Sequence, residues 1–334
     1  MVDLQQLEAA AKARLEPRVH LAISRGVAGS ITFEDNIAAW RRIKLAPRIL
    51  KGASVVDPHI SVLGSEVAAP IMLAPAGLPR GANPEGEAAA ARGAAEAGTL
   101  MVLSHFATRT LEEVAAAAPE AVRWFQLYLT KDRGHVRDLL VRARDSGYRA
   151  IVITVDTGGG IALEGVPRSP DWDLQPMRGD GVLDVSASFD DIEWVKAVCG
   201  LPVAVKGVLR ADDARRCAEA GADAVVVSNH GGRALDGSVA TADALPRVAD
   251  EVGGEVEVYV DGGIRRGTDV VKAMALGARG VFIGQPWVWA VCAGDSSTVA
   301  ALVRTLTTEL VCALAMCGVS RLDDIDRDVL WKAE

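Results

Sequence analysis

Residues 201–233 read LPVAVKGVLRADDARRCAEAGADAVVVSNHGGR. A short apolar run (202–206) gives way to an amphipathic, Ala-rich stretch (211–220), and then to a second apolar run (224–228). Short runs that are apolar on both faces suit buried parallel strands, and parallel strands need a crossover such as the helix between these two. The unit recurs along the chain. Further strand candidates are 70–74, 99–103, 122–128, 149–155, 257–261 and 280–284, which makes eight in all, and helical patterns occupy 84–97, 110–118, 133–146, 242–252 and 268–276. Such alternation predicts an α/β protein with a parallel sheet and right-handed crossovers. Eight units close as a (β/α)8 TIM barrel. The competing fold, a doubly wound open sheet, would be signalled by a Gly-x-Gly-x-x-Gly turn after an early strand, and none is present.

The chain has 334 residues, which suits one barrel domain (1–334) with extra segments. Residues 1–69 read as two helices and an irregular lead-in covering the bottom or side of the barrel. Residues 157–190 hold Gly158-Gly159-Gly160, three prolines and many aspartates, and read as a long active-site loop after the fourth strand. Residues 296–320 read as a helix packed back on the barrel. Hydrophobic residues make up 50% and aromatics 4%, so the core is expected to rest on Ala, Val, Leu and Ile. A net charge of −8 gives no general attraction to nucleic acid or to an anionic membrane. No apolar run is read as approaching the ~20 residues of a membrane span. Cys199, Cys217, Cys292, Cys312 and Cys317 are an odd number without framework spacing; Cys312 and Cys317 read as core residues, and a reducing cytoplasm is the expected setting. The first six residues lack the basic and apolar regions of a signal peptide. No metal site is expected.

In a barrel, the C-terminal strand ends face the active site. Those positions hold Pro75-Ala76-Gly77, Ser104, Gln126 and Tyr128, Thr154 and Asp156, Lys206, Ser228 to Arg233, Asp261 to Arg265, and Gly284-Gln285. Any one of them could be an ordinary satisfied side chain. Their gathering at one mouth points to chemistry. Glycines after the seventh and eighth strands bare backbone amides, and a following helix N-terminus suits a phosphate, with Arg265 as a bidentate donor. His230 sits between a strand end and a Gly-Gly turn, where an imidazole can act as a base, with Asp156 placed to orient it. Burying Lys206 is costly unless it meets a charge or an electron-rich ligand.

The run Ser228-Asn229-His230-Gly231-Gly232-Arg233-x-Leu235-Asp236 resembles the signature of the FMN-dependent 2-hydroxy acid oxidases and dehydrogenases. So do Pro70 to Pro75, Pro84-Glu85-Gly86-Glu87, Trp124 to Tyr128, Thr154 to Thr157, Val205 to Val208 and Asp261 to Asp269, in order and over nearly the whole chain. The resemblance implies FMN as cofactor and a family that includes glycolate, lactate and mandelate oxidases. It implies that Pro75, Ala76 and Gly77 run beside the flavin ring, with Ser104, Gln126 and Thr154 on its polar edge. Lys206 would sit near the pyrimidine end, and Ser228 would also contact the cofactor. Asp261 would bind the ribityl chain, and Gly263, Arg265, Gly284 and Gln285 would form the phosphate end. His230 would be the base, Asp156 its support, Arg233 the carboxylate clamp, and Tyr128 a substrate hydrogen-bonder. Oxygen or another acceptor would take the electrons, and a homo-oligomer, for example a tetramer, is implied.

Three positions depart from that pattern. Ala22 stands where the family has a tyrosine that helps bind the carboxylate. Thr157 is followed by Gly158 to Glu164 without the usual arginine, the next being Arg168, and Gln285 replaces an arginine at the phosphate end. Losing charged hydrogen bonds at about 1.5–3 kcal/mol each should weaken the binding of a small acid such as glycolate or lactate. A larger substrate, for example an arylglycolate such as mandelate, is expected, with Arg168 or His105 as compensating contacts. Two competing readings are an FMN-dependent isomerase of the isopentenyl diphosphate type, and a weakly active barrel kept as a binding module.

Overall fold

The eight apolar runs close on one another. In the computed structural model, which describes residues 2–52, 55–77, 82–157, 176–177, 179 and 182–331, the chain opens with α1 (Leu4–Arg14), α2 (Pro17–Ser24), α3 (Ile31–Arg42) and a hairpin of β1 (Ile60–Val62) and β2 (Ser65–Val67). The barrel follows as β3 (Ile71–Leu73), α4 (Gly86–Glu96), β4 (Leu100–Ser104), α5 (Leu111–Ala117), β5 (Val122–Leu127), α6 (Arg133–Asp145) and β6 (Ile151–Thr154). Its second half is α7 (Asp190–Cys199), β7 (Val203–Val208), α8 (Ala211–Glu219), β8 (Ala224–Val227), α9 (Thr241–Val252), β9 (Glu257–Val260), α10 (Gly267–Ala275), β10 (Gly280–Ile283) and α11 (Gln285–Ala293), before α12 (Ser296–Met316). Strands β3 to β10 form a closed parallel barrel in the order β10-β3-β4-β5-β6-β7-β8-β9. All eight predicted strands are present, within one or two residues at most ends.

Four expectations need correction. The lead-in has three helices and a hairpin rather than two helices. The hairpin turns on Leu63 and Gly64, both at positive φ, as a tight two-residue turn demands. It is pinned at the barrel bottom by Leu63 N donating to Glu257 Oε2 (3.1 Å) and Arg279 Nε donating to the Ser61 carbonyl (3.1 Å). Helix α7 occupies a stretch with no predicted helix; Asp190, Asp191 and Glu193 in its first turn suit the positive end of its dipole. Helix α12, 21 residues long, holds an 18-residue window of mean hydropathy 1.6, so by length and composition it could cross a bilayer, contrary to the sequence reading. Half of that apolar window is buried against protein, and a Cβ on Gly93 of α4 would lie 2.5 Å from the Ser296 carbonyl, which makes α12 a close-packed core helix here. Cys312, expected in the core, is exposed, whereas Cys317 is buried.

Aromatics also do more in the core than their 4% share suggested. Trp124 (β5), Tyr259 (β9) and Phe282 (β10) meet edge-on with centroids 5.6–6.0 Å apart. Strand β5 pairs with neither β9 nor β10, so these rings meet across the barrel interior and fill it where aliphatic side chains would fall short.

Candidate active site

Parallel register brings the strand-end residues together. Ser104 on β4 lies beside Gln126 on β5, and Thr154 on β6 beside Lys206 on β7. Ser104 Oγ donates to Gln126 Oε1 (3.2 Å), and so does the His105 backbone amide (3.2 Å), which turns the Gln126 Nε2 end outward. Lys206, fully buried, reaches Asp261 Oδ2 (3.1 Å) and Ser228 Oγ (2.9 Å). Burial alone would lower its pKa, but Asp261 and Asp156 raise it, so the ammonium persists.

His230 follows β8 in a left-handed conformation (φ +59°), as do Gly231 (+63°) and Gly232 (+75°). For a residue with a Cβ this costs on the order of 1–3 kcal/mol and persists only where the surroundings impose it. The turn sends the imidazole to Asp156, with Nδ1 2.8 Å from Oδ1. Burial would raise the Asp156 pKa, but the charge and hydrogen bond of His230, helped by Lys206, hold it below the ordinary value. An ionised carboxylate only accepts, so Nδ1 carries the proton, and in the neutral ring the lone pair is the one on Nε2. Gly207 makes room for this: a Cβ there would lie 2.6 Å from the Asp156 Cβ, and its φ of +115° coincides with the register shift between β7 and β8.

Tyr128, just past β5, is buried, and burial with the nearby Asp156 charge drives its pKa up despite Arg233, leaving a neutral hydroxyl donor. Arg233 meets no carboxylate among the described residues; its NH1 donates to the Ala22 (2.5 Å) and Arg25 (2.9 Å) carbonyls at the end of α2. An arginine buried enough to have its pKa lowered, and without a counter-ion, is prepared for an anion.

Arg265 closes the other end. Burial pushes its pKa down to about 10; its guanidinium lies over Trp289 (5.5 Å), and NH2 donates to Gln285 Oε1 (2.5 Å). Gln285 Nε2 in turn donates to the Ile23 carbonyl (2.8 Å), so Gln285 braces Arg265 against α2. Gly263, at φ +80°, passes so close to α3 that a Cβ would lie 2.4 Å from the Asn36 carbonyl. Gly284 is the N-cap of α11, and the next residue, Gln285, is the one that meets Arg265; Pro286 carries no amide hydrogen, and the Trp287 amide donates to the Gly284 carbonyl (3.1 Å).

Four buried polar atoms at this mouth have no partner among the described residues: Gln126 Nε2, Thr154 Oγ1, Asp156 Oδ2 and Asp261 Oδ1. Each would cost about 1–3 kcal/mol if left unsatisfied, so together they define where a polar ligand sits. Pro75, Ala76 and Gly77 run past the end of β3 on the same face.

His105 does not act as the expected compensating contact. It is fully buried, takes the Tyr128 amide at Nδ1 (3.2 Å) and gives Nε2–H to the Met177 carbonyl (2.7 Å). Burial lowers its pKa to about 4, so it is neutral and offers no charge to a carboxylate. Arg168 and the 158–160 glycines lie outside the described residues. Because the unfolded chain binds this proton near pH 6.5 and the folded one only near 4, stability falls by about 3 kcal/mol as pH drops across that interval. Urea unfolding of a His105→Gln variant is expected to lack that component; an unchanged pH slope between 6.5 and 4 would assign it elsewhere.

Two contributors were not foreseen. Asp236 accepts the amides of Gly29 (2.9 Å) and Thr32 (2.9 Å), tying the signature loop to the start of α3. Asn36 faces Asn229 from within α3. Its one sequence signal is a polar residue on the buried stripe Thr32, Asn36, Ala39, Trp40, at helical spacing.

Comparison with known proteins agrees with this geometry. The model of the FMN-dependent dehydrogenase family matches residues 11–164 and 162–332. The chain is 39% identical to an L-lactate oxidase of Nostoc sp. over 98% of both chains, and 38% identical to human 2-hydroxyacid oxidase 1, covering 99% of this chain and 97% of that one. Among solved structures, a mandelate oxidase with (S)-2-phenylpropionate superposes with a TM-score of 0.89 at 36% identity, covering 99% of this chain and 98% of that one. A Pediococcus acidilactici lactate oxidase superposes with a TM-score of 0.94 at 30% identity, covering 100% and 95%. A family match spanning the chain, and a barrel whose mouth holds a His-Asp pair, together with an arginine that meets no carboxylate and polar atoms that meet no partner among the described residues, lead to one conclusion: the chain belongs to the FMN-dependent 2-hydroxy acid oxidase family of oxidoreductases.

Proposed function

We propose that the protein oxidises an arylglycolate-type 2-hydroxy acid to its 2-oxo acid, with His230 as the base and oxygen as final electron acceptor. The observation that carries this reading is the His230–Asp156 pair at 2.8 Å, in one mouth with Arg233, which meets no carboxylate among the described residues. Arg233 holds the substrate carboxylate, the Tyr128 hydroxyl donates to its oxygen, and His230 Nε2 takes the hydroxyl proton. The imidazolium so formed is stabilised by Asp156, already ionised and hydrogen-bonded. Oxidation is complete when the bond from Cα to hydrogen breaks and its electron pair leaves the substrate.

The residues present fit FMN. Gln126 Nε2 and Thr154 Oγ1 are unsatisfied groups suited to the polar edge of a flavin, and Asp261 Oδ1 is an acceptor suited to ribityl hydroxyls. Lys206 supplies a buried cation beside them, held by Asp261 and Ser228. Ser104 orients Gln126, and the backbone of Pro75, Ala76 and Gly77 offers a wall. Gly263, Gly284 and Arg265 would take the phosphate, with Gln285 bracing Arg265. When bound, FMN supplies the two-electron acceptor that side chains alone lack.

The substrate reading rests on what surrounds Arg233. Ala22 presents only a methyl group and its backbone carbonyl there, and His105 is neutral, so among the described residues a small acid finds one charged handle. Phe106 stacks on Tyr128 with centroids 4.7 Å apart, which offers aromatic surface to an aryl substituent. The mandelate oxidases among the structural neighbours support the same choice. Anaerobic mixing of the flavin-loaded protein with mandelate, lactate and glycolate is the test. Bleaching fastest with mandelate, followed by reoxidation in air, is expected; faster bleaching with glycolate would overturn the aryl preference, and product without bleaching would indicate an isomerase.

A further inference from the structure

We propose that Asn36 of α3 is a positioning residue for the reaction: its amide locks the 228–233 loop so that His230 faces the mouth. The inference rests on the reading of His230 as base. Asn36 and Asn229 form a closed amide pair, Asn36 Nδ2 donating to Asn229 Oδ1 (2.9 Å) and Asn229 Nδ2 donating to Asn36 Oδ1 (2.8 Å). Both side chains are buried. Their orientation has no freedom. Asn36 Oδ1 also accepts the Thr241 amide (3.2 Å), Asn229 Oδ1 accepts the Gly232 amide (3.1 Å), and Asn229 Nδ2 donates to the Val239 carbonyl (3.0 Å). Turning either amide over would set donor against donor at several of these contacts.

The pair brackets the strained turn. Asn229 precedes His230, and its side-chain oxygen holds the amide of Gly232, so the three left-handed residues 230–232 are clamped from one atom. Asn36 is what holds that atom from outside the loop. A left-handed histidine relaxes unless its surroundings impose the conformation, and relaxation would swing the imidazole away from Asp156. Gly232 reinforces the docking, because a Cβ there would lie 2.5 Å from the Phe33 amide nitrogen of α3. A residue far from the mouth in sequence thus sets where the base stands.

The test uses the FMN-loaded protein and three variants: Asn36→Asp, which keeps the acceptor and loses the donor; Asn36→Leu, which loses both; and Ala39→Gly, which weakens the same helix at a side chain with no hydrogen-bonding group. The readout is the rate constant of anaerobic flavin bleaching at saturating concentration of whichever of mandelate, lactate or glycolate reduces the native protein fastest. Misfolding or lost FMN lowers the amplitude of bleaching, whereas a misplaced base lowers its rate constant. Both Asn36 variants are expected to slow the rate constant about tenfold to a hundredfold, with Ala39→Gly within twofold of native. If Asn36→Leu yields no folded protein, Asn36→Asp alone decides. Native-like rate constants in the Asn36 variants, or an equal loss in Ala39→Gly, overturn the proposal. Failure of the native protein to bleach with any of the three acids would instead defeat the proposed function.

Discussion

Replacing His230 with alanine is expected to slow flavin reduction by about 10²- to 10⁴-fold while FMN stays bound. The magnitude follows from the site's construction. Asp156 is held ionised and accepts the hydrogen bond that Nδ1–H donates (2.8 Å), leaving Nε2 as the one imidazole atom able to accept a substrate proton. Tyr128 cannot replace it, because burial and the Asp156 charge keep its hydroxyl protonated. The buried His105 cannot replace it either, since both its nitrogens are engaged, by the Tyr128 amide and the Met177 carbonyl. Apart from Ser228, the cofactor contacts assigned above lie on other strands, so the variant should still take up FMN and appear yellow. Stopped-flow bleaching settles the matter: an alanine variant that keeps more than a tenth of the native rate would remove His230 from the role of base.

Lys206→Met is expected to lower stability by about 3–5 kcal/mol and to weaken FMN binding. Lys206 and Asp261 are a buried pair at 3.1 Å, and Asp156 also draws on the ammonium. Methionine fills a similar volume but leaves Asp261 charged and buried without its partner. The cost comes from that stranded carboxylate more than from the lost contact. The double change Lys206→Met with Asp261→Asn removes the stranded charge and should recover part of the stability. Urea unfolding of the apoproteins and titration with FMN measure both effects; a single variant as stable as the native protein, with unchanged FMN affinity, would show that the ammonium is not what balances this site.

The barrel was legible because its signal is local. Each strand is a short apolar run buried on both faces, and many of the polar site residues sit at or near the end of one, as with Gln126, Thr154, Lys206 and Asp261. Helix α7 was harder to read, because its ten residues bury only Ile192, Val195 and Cys199. The three lead-in helices were undercounted for a similar reason: α2 buries a single residue, Ala22. Exposure of Cys312 next to buried neighbours shows the limit of reading burial from an apolar stretch, since one face of α12 still meets solvent.

By itself the sequence determined the eightfold alternation, the list of strand-end side chains and the His-Gly-Gly turn, all of which follow from periodicity and conformational preference within a few neighbouring residues. The tertiary structure alone decided how those side chains are used: that His105 is neutral, that Gln285 braces Arg265 against α2, that Arg233 hangs on the carbonyls of Ala22 and Arg25, and that Asn36 holds Asn229 across 193 positions of chain. Those pairings depend on which surfaces barrel closure presses together and on the loss of water there. A hydrogen bond between residues so far apart leaves no spacing in the sequence to read, and it becomes obligatory once both partners are buried with no other group to satisfy them.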